Sequence, residues 1–444
     1  MITLKNAKPT WLAAALALSV SLPALAQNTV LSAQDSDPKV MGWMQGFPPP
    51  ADKLITQPDS NYFSFPKLRW SVCHLREFLP TEAISRGIGA PVPLTYAQDR
   101  ATLEAEIDAL TFTVMNSDET MTWDASLFAN YTDGMLILHK GEVVYERYFG
   151  CLEETGKHAA MSMTKSITGL LAEIMVQEGT LDDTLLVRDI IPSIGDSAFA
   201  TATVREVMDM TTGVQYSEDY SDPNADIWLY SAAASPLPKP ADYTGPNGYW
   251  EYLQQVPPDG EHGAEFHYKT INSDMLGWII STVAQKSVTE LASDRLWTKI
   301  GAELEAEMTV DGYGVPFAGG GLTAGLRDLG RIGILMLNGG VINGERLFPE
   351  AVVDQIKAGG DRSKFGDGFP TFGAGSYTSQ WWVLHNDHGA FAARGVHGQT
   401  IYVDPTAEMV LVRFSSFPQA QNGFIDPTSL PAYQAVAEYL LERR

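Results

Sequence analysis

The sequence predicts an α+β fold: an antiparallel sheet flanked by helices, with an all-helical region inserted at about 188–310. Three observations carry this. Met135–His139 and Glu142–Phe149 are strand-like runs around Lys140-Gly141, which reads as a hairpin. Ile271–Gln285 and Glu290–Ile300 have the apolar spacing of amphipathic helices. Strand-like runs then return at Gln380–Leu384, Thr400–Val403 and Met409–Ser415, ahead of a helix over Pro431–Glu442. Strands at both ends of a chain with helices between them assemble most simply as one sheet completed by both termini.

Taken in order, residues 1–26 read as a secretory signal. Lys5 and Lys8 precede an apolar run from Trp11 to Leu22, and Ala24-Leu25-Ala26 forms the cleavage site. The mature chain is expected to start at Gln27 and to be periplasmic or secreted, with no stable membrane insertion. Residues 27–125 are rich in Pro and aromatics with patchy periodicity, as expected of an arm wrapping a body over 126–444. Met163, Ile167, Leu170, Leu171, Ile174 and Met175 repeat at helical spacing up to Gly179, so this segment is a core helix. Val204–Met210 is a short helix. Gly319-Gly320-Gly321-Leu322-Thr323-Ala324-Gly325 is a tight loop opening a helix through Leu337.

Composition narrows the function. Lys and Arg number 30 against 54 Asp and Glu, and removing the two signal lysines takes the formal charge from −24 to −26, which excludes nucleic acid as a natural partner. The acids are scattered, as solubility requires, rather than clustered as a cation site would need. Cys73 and Cys151 are the only cysteines; an oxidising compartment permits a disulfide, and two buried free thiols fit the sequence equally well.

The chemistry concentrates in three segments. In Ser162-Met163-Thr164-Lys165 a hydroxyl and an amine lie one helical turn apart on one face. A lysine kept neutral by apolar surroundings can take the serine proton, and a serine at a helix start has its own N–H free for an oxyanion. Ser64-Phe65-Pro66-Lys67 has the same spacing, but its proline and aromatic surroundings do not suit a catalytic helix start. In Phe266-His267-Tyr268-Lys269-Thr270, Tyr268 precedes a helix start with Thr270 as a hydrogen-bonding partner; a tyrosine held near a lysine can have its pKa lowered and relay protons. In Ala393-Arg394-Gly395-Val396-His397-Gly398-Gln399, the glycines allow close backbone approach, and the Val396 N–H offers a second oxyanion donor.

In this order the segments resemble the serine β-lactamase and penicillin-binding-protein family, with its Ser-x-x-Lys, Tyr-x-Asn and Lys-Thr-Gly motifs. The resemblance sharpens towards the 6-aminohexanoate-dimer hydrolases through Arg69-Trp70, Met208-Asp209-Met210-Thr211, Glu218-Asp219-Tyr220 and Ser376-Tyr377-Thr378-Ser379-Gln380-Trp381-Trp382. It implies a β-lactamase/transpeptidase-like fold, Ser162 as nucleophile, Lys165 and Tyr268 as its proton-transfer partners, and backbone oxyanion donors at Ser162 and Val396. It further implies a loop tyrosine at Tyr220 that assists amide hydrolysis, a pocket wall at Trp382, and substrate contacts at Thr270, Gly395 and His397. The chain departs from the pattern at Thr270 (for Asn), Ala393 (for Lys), Gly319 (for Asn) and Ser231 (for an Asp that holds a substrate amine), with Asp226 a nearby acid.

These readings converge on an exported serine hydrolase that cleaves a small-molecule ester or amide through an acyl-enzyme, needs no metal or cofactor, and deacylates with water activated by Tyr268. A β-lactamase, a D-amino-acid peptidase or a silent peptidoglycan-binding module is the alternative. A Ser-His-Asp hydrolase finds no G-x-S-x-G elbow, and His262-Gly263-Ala264-Glu265-Phe266-His267 lacks the H-E-x-x-H spacing of a zinc hydrolase.

Overall fold

The computed structural model describes residues 30–443 apart from 57–60, 221, 236–238 and 240. The expected signal, 1–26, lies outside them. The principal sheet has eight strands in the order Ser376–Thr378, Trp381–Val383, Phe391–Gly395, Gln399–Asp404, Met409–Ser415, Thr132–His139, Glu142–Tyr148 and Thr95–Tyr96. All neighbours are antiparallel except the last pair. The hairpin and the late strands do join: Met409 faces His139, and Leu411 faces Ile137. The fold is thus α+β and β-lactamase/transpeptidase-like, with a sheet flanked by helices.

Both faces of the sheet are covered, which explains the unbroken apolar run in its first hairpin strand. Leu136 and Leu138 point into a core shared with helices Met163–Gln177 and Leu326–Leu337, whereas Met135 and Ile137 pack with helices Arg100–Asp108 and Asp426–Glu442. Period-two alternation therefore sorts one apolar layer from another rather than core from solvent.

A second antiparallel sheet joins Thr81–Ile84, Ala306–Thr309, Leu322–Ala324 and His158–Ala159. Leu322–Ala324 lies inside the stretch expected as a glycine loop; the loop proper ends at Gly321, and three buried residues pair before the helix begins. The 188–310 region is largely helical but closes on strand Ala306–Thr309, and Ser293–Trp297 continues the preceding helix as a π turn.

The residues before 126 supply a strand to each sheet, and Arg69 anchors them. Its buried guanidinium donates to Asp133 Oδ1 (3.1 Å), Ser416 Oγ (3.1 Å) and Ser36 Oγ (3.0 Å). Cys73 and Cys151 form a disulfide, which resolves the alternative the sequence left open. Among the described residues no helix is long and apolar enough to cross a membrane.

Candidate active site

Ser162 stands at the N-cap position of helix Met163–Gln177 but does not cap it: its dihedrals are already helical (φ −70°, ψ −3°) and its side chain accepts nothing from the first turn. Its hydroxyl is thereby left for other partners. The preceding Met161 is in the left-handed region at φ 49°, a conformation costing about 1–3 kcal/mol for a non-glycine residue. Packing of Met161 against Leu68, Val72, Leu75 and Ala159 holds it there. Residues on both sides of position 126 thus pack around the strained residue next to the nucleophile.

Lys165 is 1 % exposed. Its Nζ lies 3.1 Å from Ser162 Oγ and also donates to the Gly319 carbonyl. Burial holds its proton affinity below the ordinary lysine range, opposed by the charges of Glu218 and Asp274. Its pKa is lowered to about 8, so the expected neutral amine beside the serine is reached at far lower pH than for a solvated lysine.

The Tyr268 phenol is close enough for Ser162 to act on its proton affinity, and its ring lies 5.3 Å from Lys165 Nζ. Its pKa moves opposite to the sequence expectation. Burial, then the Glu218 charge, pushes the phenol well above its usual value, and the Ser162 hydrogen bond and Arg394 only partly oppose this. The ring is enclosed by Trp382 (5.4 Å, stacked), Tyr377 (6.0 Å) and Phe369 (6.4 Å), which disfavour a phenolate. These surroundings keep the Tyr268 phenol protonated at rest.

Two helices and one turn set these positions. Ser166 Oγ donates to the Gln380 carbonyl (2.7 Å), and Ser273 Oγ, from helix Ile271–Ala284, donates to Gln380 Oε1 (2.7 Å). Trp381 Nε1 donates to Ser166 O at 3.0 Å. The turn before Trp382 is thus keyed to both the nucleophile helix and the helix that follows Tyr268.

On the opposite side, strand Phe391–Gly395 brings Gly395 against the nucleophile. A Cβ there would lie 2.9 Å from the Ser162 nitrogen and 2.7 Å from the Ala160 carbonyl, so only glycine permits this approach. Among the described residues neither the Ser162 nor the Val396 N–H finds a backbone carbonyl. Both remain available to a developing oxyanion at a helix start.

The remaining candidates separate. Glu218, not singled out in the sequence, gathers two of them: its carboxylate accepts from Tyr220 OH (2.7 Å), Thr270 Oγ1 (2.6 Å) and Thr270 N (2.6 Å). Trp382 is 5 % exposed and backs Tyr268 within a cluster of Phe266, Phe365, Phe372 and Tyr377, so its main surface meets protein. His397 is a loop anchor: its Nδ1 pairs with Phe417 O at 2.7 Å, its ring meets Phe63 edge-on, and burial lowers its pKa to about 4. Ser231, which carries no charge, donates to Ile227 O (2.7 Å), and the Asp226 carboxylate is engaged by Ser217 N (2.8 Å) and Oγ (3.0 Å). Arg394 is buried in an ion pair with Asp426 and lies over Phe372 at 4.6 Å.

The one grouping of metal-donor residues among the described residues is Cys73, Cys151 and His158, and both thiols are spent in the disulfide. Asp274 is a second site residue the sequence reading missed. A carboxylate among the otherwise apolar positions Ile271, Met275, Trp278 and Ile279 was the available signal, since unpaired acids are almost never fully buried.

A helix-borne serine and lysine facing a loop tyrosine, with a strand glycine closing the far side, define a serine hydrolase of the β-lactamase type, and residues 126–430 match the Beta-lactamase family model. The chain belongs to the Beta-lactamase family. It is 34% identical over 359 residues to a 6-aminohexanoate-dimer hydrolase of Paenarthrobacter ureafaciens, covering 80% of this chain and 86% of that protein. A Bacillus anthracis chain described as a candidate 6-aminohexanoate-dimer hydrolase superposes with TM-score 0.78 at 30% identity, covering 88% of this chain and 99% of its own. The fold alone is shared with EstCE1, a hydrolase with promiscuous acyltransferase activity (TM-score 0.56, 16% identity, 77% and 99% of the two chains). The chain is a β-lactamase-fold serine hydrolase related to 6-aminohexanoate-dimer hydrolases.

Proposed function

We propose that the protein cleaves a small ester or amide through an acyl-enzyme on Ser162. The observation that carries this reading is the buried Lys165 amine 3.1 Å from Ser162 Oγ, with the Tyr268 phenol on the other side. Lys165 Nζ takes the hydroxyl proton as Oγ bonds to the substrate carbonyl carbon, and the Ser162 and Val396 N–H groups stabilise the oxyanion. On collapse, Tyr268 gives its proton to the departing alkoxide or amine and recovers one from the Lys165 ammonium. Water then attacks the acyl carbon and passes a proton to Lys165; the tetrahedral adduct collapses by breaking its bond to Oγ, Lys165 returns the proton to Ser162 Oγ, and the carboxylic acid leaves. Lys165 thus replaces Tyr268 as the base for water, because a phenol kept protonated by its surroundings is a donor.

Tyr220, held by Glu218 near Tyr268, assists amide hydrolysis in this reading by hydrogen-bonding the amine leaving group that Tyr268 protonates; its phenol is also kept protonated by burial and the Glu218 charge. Esters and uncharged amides are the favoured substrates over β-lactams. Ala393 leaves the third motif without its cation, and bringing Arg394 into that place would break a buried ion pair, at a cost of about 3–5 kcal/mol. We also place the protein in the periplasm or outside the cell, on the signal-like residues 1–26 and the Cys73–Cys151 disulfide.

A chromogenic ester with pre-steady-state detection tests the acyl-enzyme: a burst stoichiometric with enzyme and absent in Ser162→Ala is expected, and turnover surviving in Ser162→Ala would reject it. A panel of esters, D-amino-acid amides, β-lactams and linear oligoamides then ranks substrates, with ester kcat/KM expected to exceed cephalosporin kcat/KM by orders of magnitude.

A further inference from the structure

Asp274 is 3 % exposed, on helix Ile271–Ala284 beneath the site. Among the described residues no basic side chain pairs with it. Its Oδ2 accepts from Tyr230 OH at 2.6 Å, and its Oδ1 accepts from Gly319 N–H at 3.1 Å. Gly319 is also the residue whose carbonyl receives Lys165 Nζ. One residue therefore touches Asp274 through its N–H and Lys165 through its C=O. The junction leaves no room for a side chain: a Cβ on Gly319 would lie 2.6 Å from Thr270 Cγ2 and 2.9 Å from Asp274 Oδ2.

Burying a carboxylate is costly without a compensating charge or donors. The Tyr230 hydroxyl and backbone N–H groups supply donors, and the cation within electrostatic reach is the Lys165 ammonium. On the basis of the acyl-enzyme reading above, we propose that Asp274 is a positioning residue of the site. Its carboxylate, fixed by Tyr230 and Gly319, supplies the buried counter-charge toward which the Lys165 ammonium forms when Ser162 gives up its proton.

Glu218 and Asp274 both favour the Lys165 ammonium, Glu218 the more strongly, and they differ in how they are held. Glu218 also acts on Lys165, from the loop before helix Asp226–Ala234, but it is less buried and already holds Tyr220 and Thr270. Tyr268 faces Lys165 with its ring, and Arg394, which acts on Tyr268, is neutralised by Asp426. Around Asp274 stand Tyr230, Tyr216 and Tyr249, each kept a neutral phenol by burial, and Asp311 accepts from Tyr249 N at 2.9 Å. Burial pushes the pKa of Asp274 itself up to about 7 against its donors and Lys165, so above that pH it is the enclosed charge on this side of Lys165. Removing it makes the ammonium harder to form, so Lys165 loses its proton at lower pH and is a weaker base.

The test is the pH dependence of the acylation burst with a chromogenic ester in wild type, Asp274→Asn and Tyr230→Phe. Asp274→Asn is expected to move the acid limb down by about one pH unit and lower the plateau about tenfold, since an opposite charge favours the protonated amine and proton transfer follows base strength. Tyr230→Phe, which withdraws one donor from the carboxylate, is expected to move the limb the same way by less. A folded Asp274→Asn enzyme, with wild-type thermal midpoint and fluorophosphonate labelling, whose acid limb is unmoved would overturn the proposal. If Asp274→Asn does not fold, an unmoved limb in Tyr230→Phe overturns it instead. A burst that survives in Ser162→Ala would show that the acyl-enzyme reading has failed, an outcome separate from either.

Discussion

Ser162-Met163-Thr164-Lys165 and Ser64-Phe65-Pro66-Lys67 carry the same residue types at the same spacing, and the fold treats them in opposite ways. Ser64 is exposed, its hydroxyl donates to the Asn61 carbonyl at 2.7 Å, and Lys67 lies over the Trp43 ring at 5.9 Å. Ser162 and Lys165 are 7 % and 1 % exposed and 3.1 Å apart. Spacing puts a serine and a lysine on one helical face. Burial is what makes the lysine a base, because water stabilises an exposed ammonium and an apolar interior does not.

The widest gap between the two segments is expected in covalent chemistry. A fluorophosphonate should label Ser162 and not Ser64, and Ser162→Ala should lower ester turnover by roughly 10⁴-fold or more, while Ser64→Ala changes nothing measurable. Peptide mass spectrometry locates the adduct, and a label on Ser64 would invert the comparison. Because Ser162 makes no capping hydrogen bond, its loss should alter stability by no more than about 1 kcal/mol, as thermal unfolding can check.

Next in size are the proton-transfer partners. Lys165→Ala and Tyr268→Phe should each slow acylation by roughly 10²–10⁴-fold, with a double mutant far less impaired than the product of the two, because groups that act as a unit are not additive. Lys67→Ala should leave the rate untouched. Wild-type turnover in Tyr268→Phe would remove that residue from the mechanism.

A pH profile sharpens the contrast without mutation. Lys165 must be neutral to accept the Ser162 proton, and burial lowers its proton affinity, so activity is lost as pH falls through its depressed value. The acid limb of kcat/KM should lie well below the ordinary lysine value of 10.5; a limb at that value would point to a solvated lysine instead. The smallest effect is expected at Tyr220. Tyr220→Phe should reduce amide hydrolysis about tenfold and ester hydrolysis far less, because an amine must be protonated to leave, and equal losses on paired amide and ester substrates would reject that role.

Much of the scaffold was legible because it is written locally. The Lys140-Gly141 hairpin, the apolar repeat after Ser162 and the terminal helix each follow from residues within a few positions of one another. Strands Thr81–Ile84 and Leu322–Ala324 escaped because they are short and owe their pairing to distant partners. Tyr268 was found by its motif and misjudged in its protonation, since the aromatic wall around it comes from residues near 369–382.

By itself the sequence determined the Ser162–Lys165 pair, the order of the three motifs and the family, since i,i+3 geometry and ordered motifs survive without knowledge of the fold. Tertiary structure alone decided which of two Ser-x-x-Lys segments is buried, that Glu218 binds both Tyr220 and Thr270, that Arg394 is held by Asp426, and that Asp274 reaches Lys165 through Gly319. Proton affinity depends on solvent exclusion and on charges brought close by packing, and neither is encoded in the spacing of any one segment.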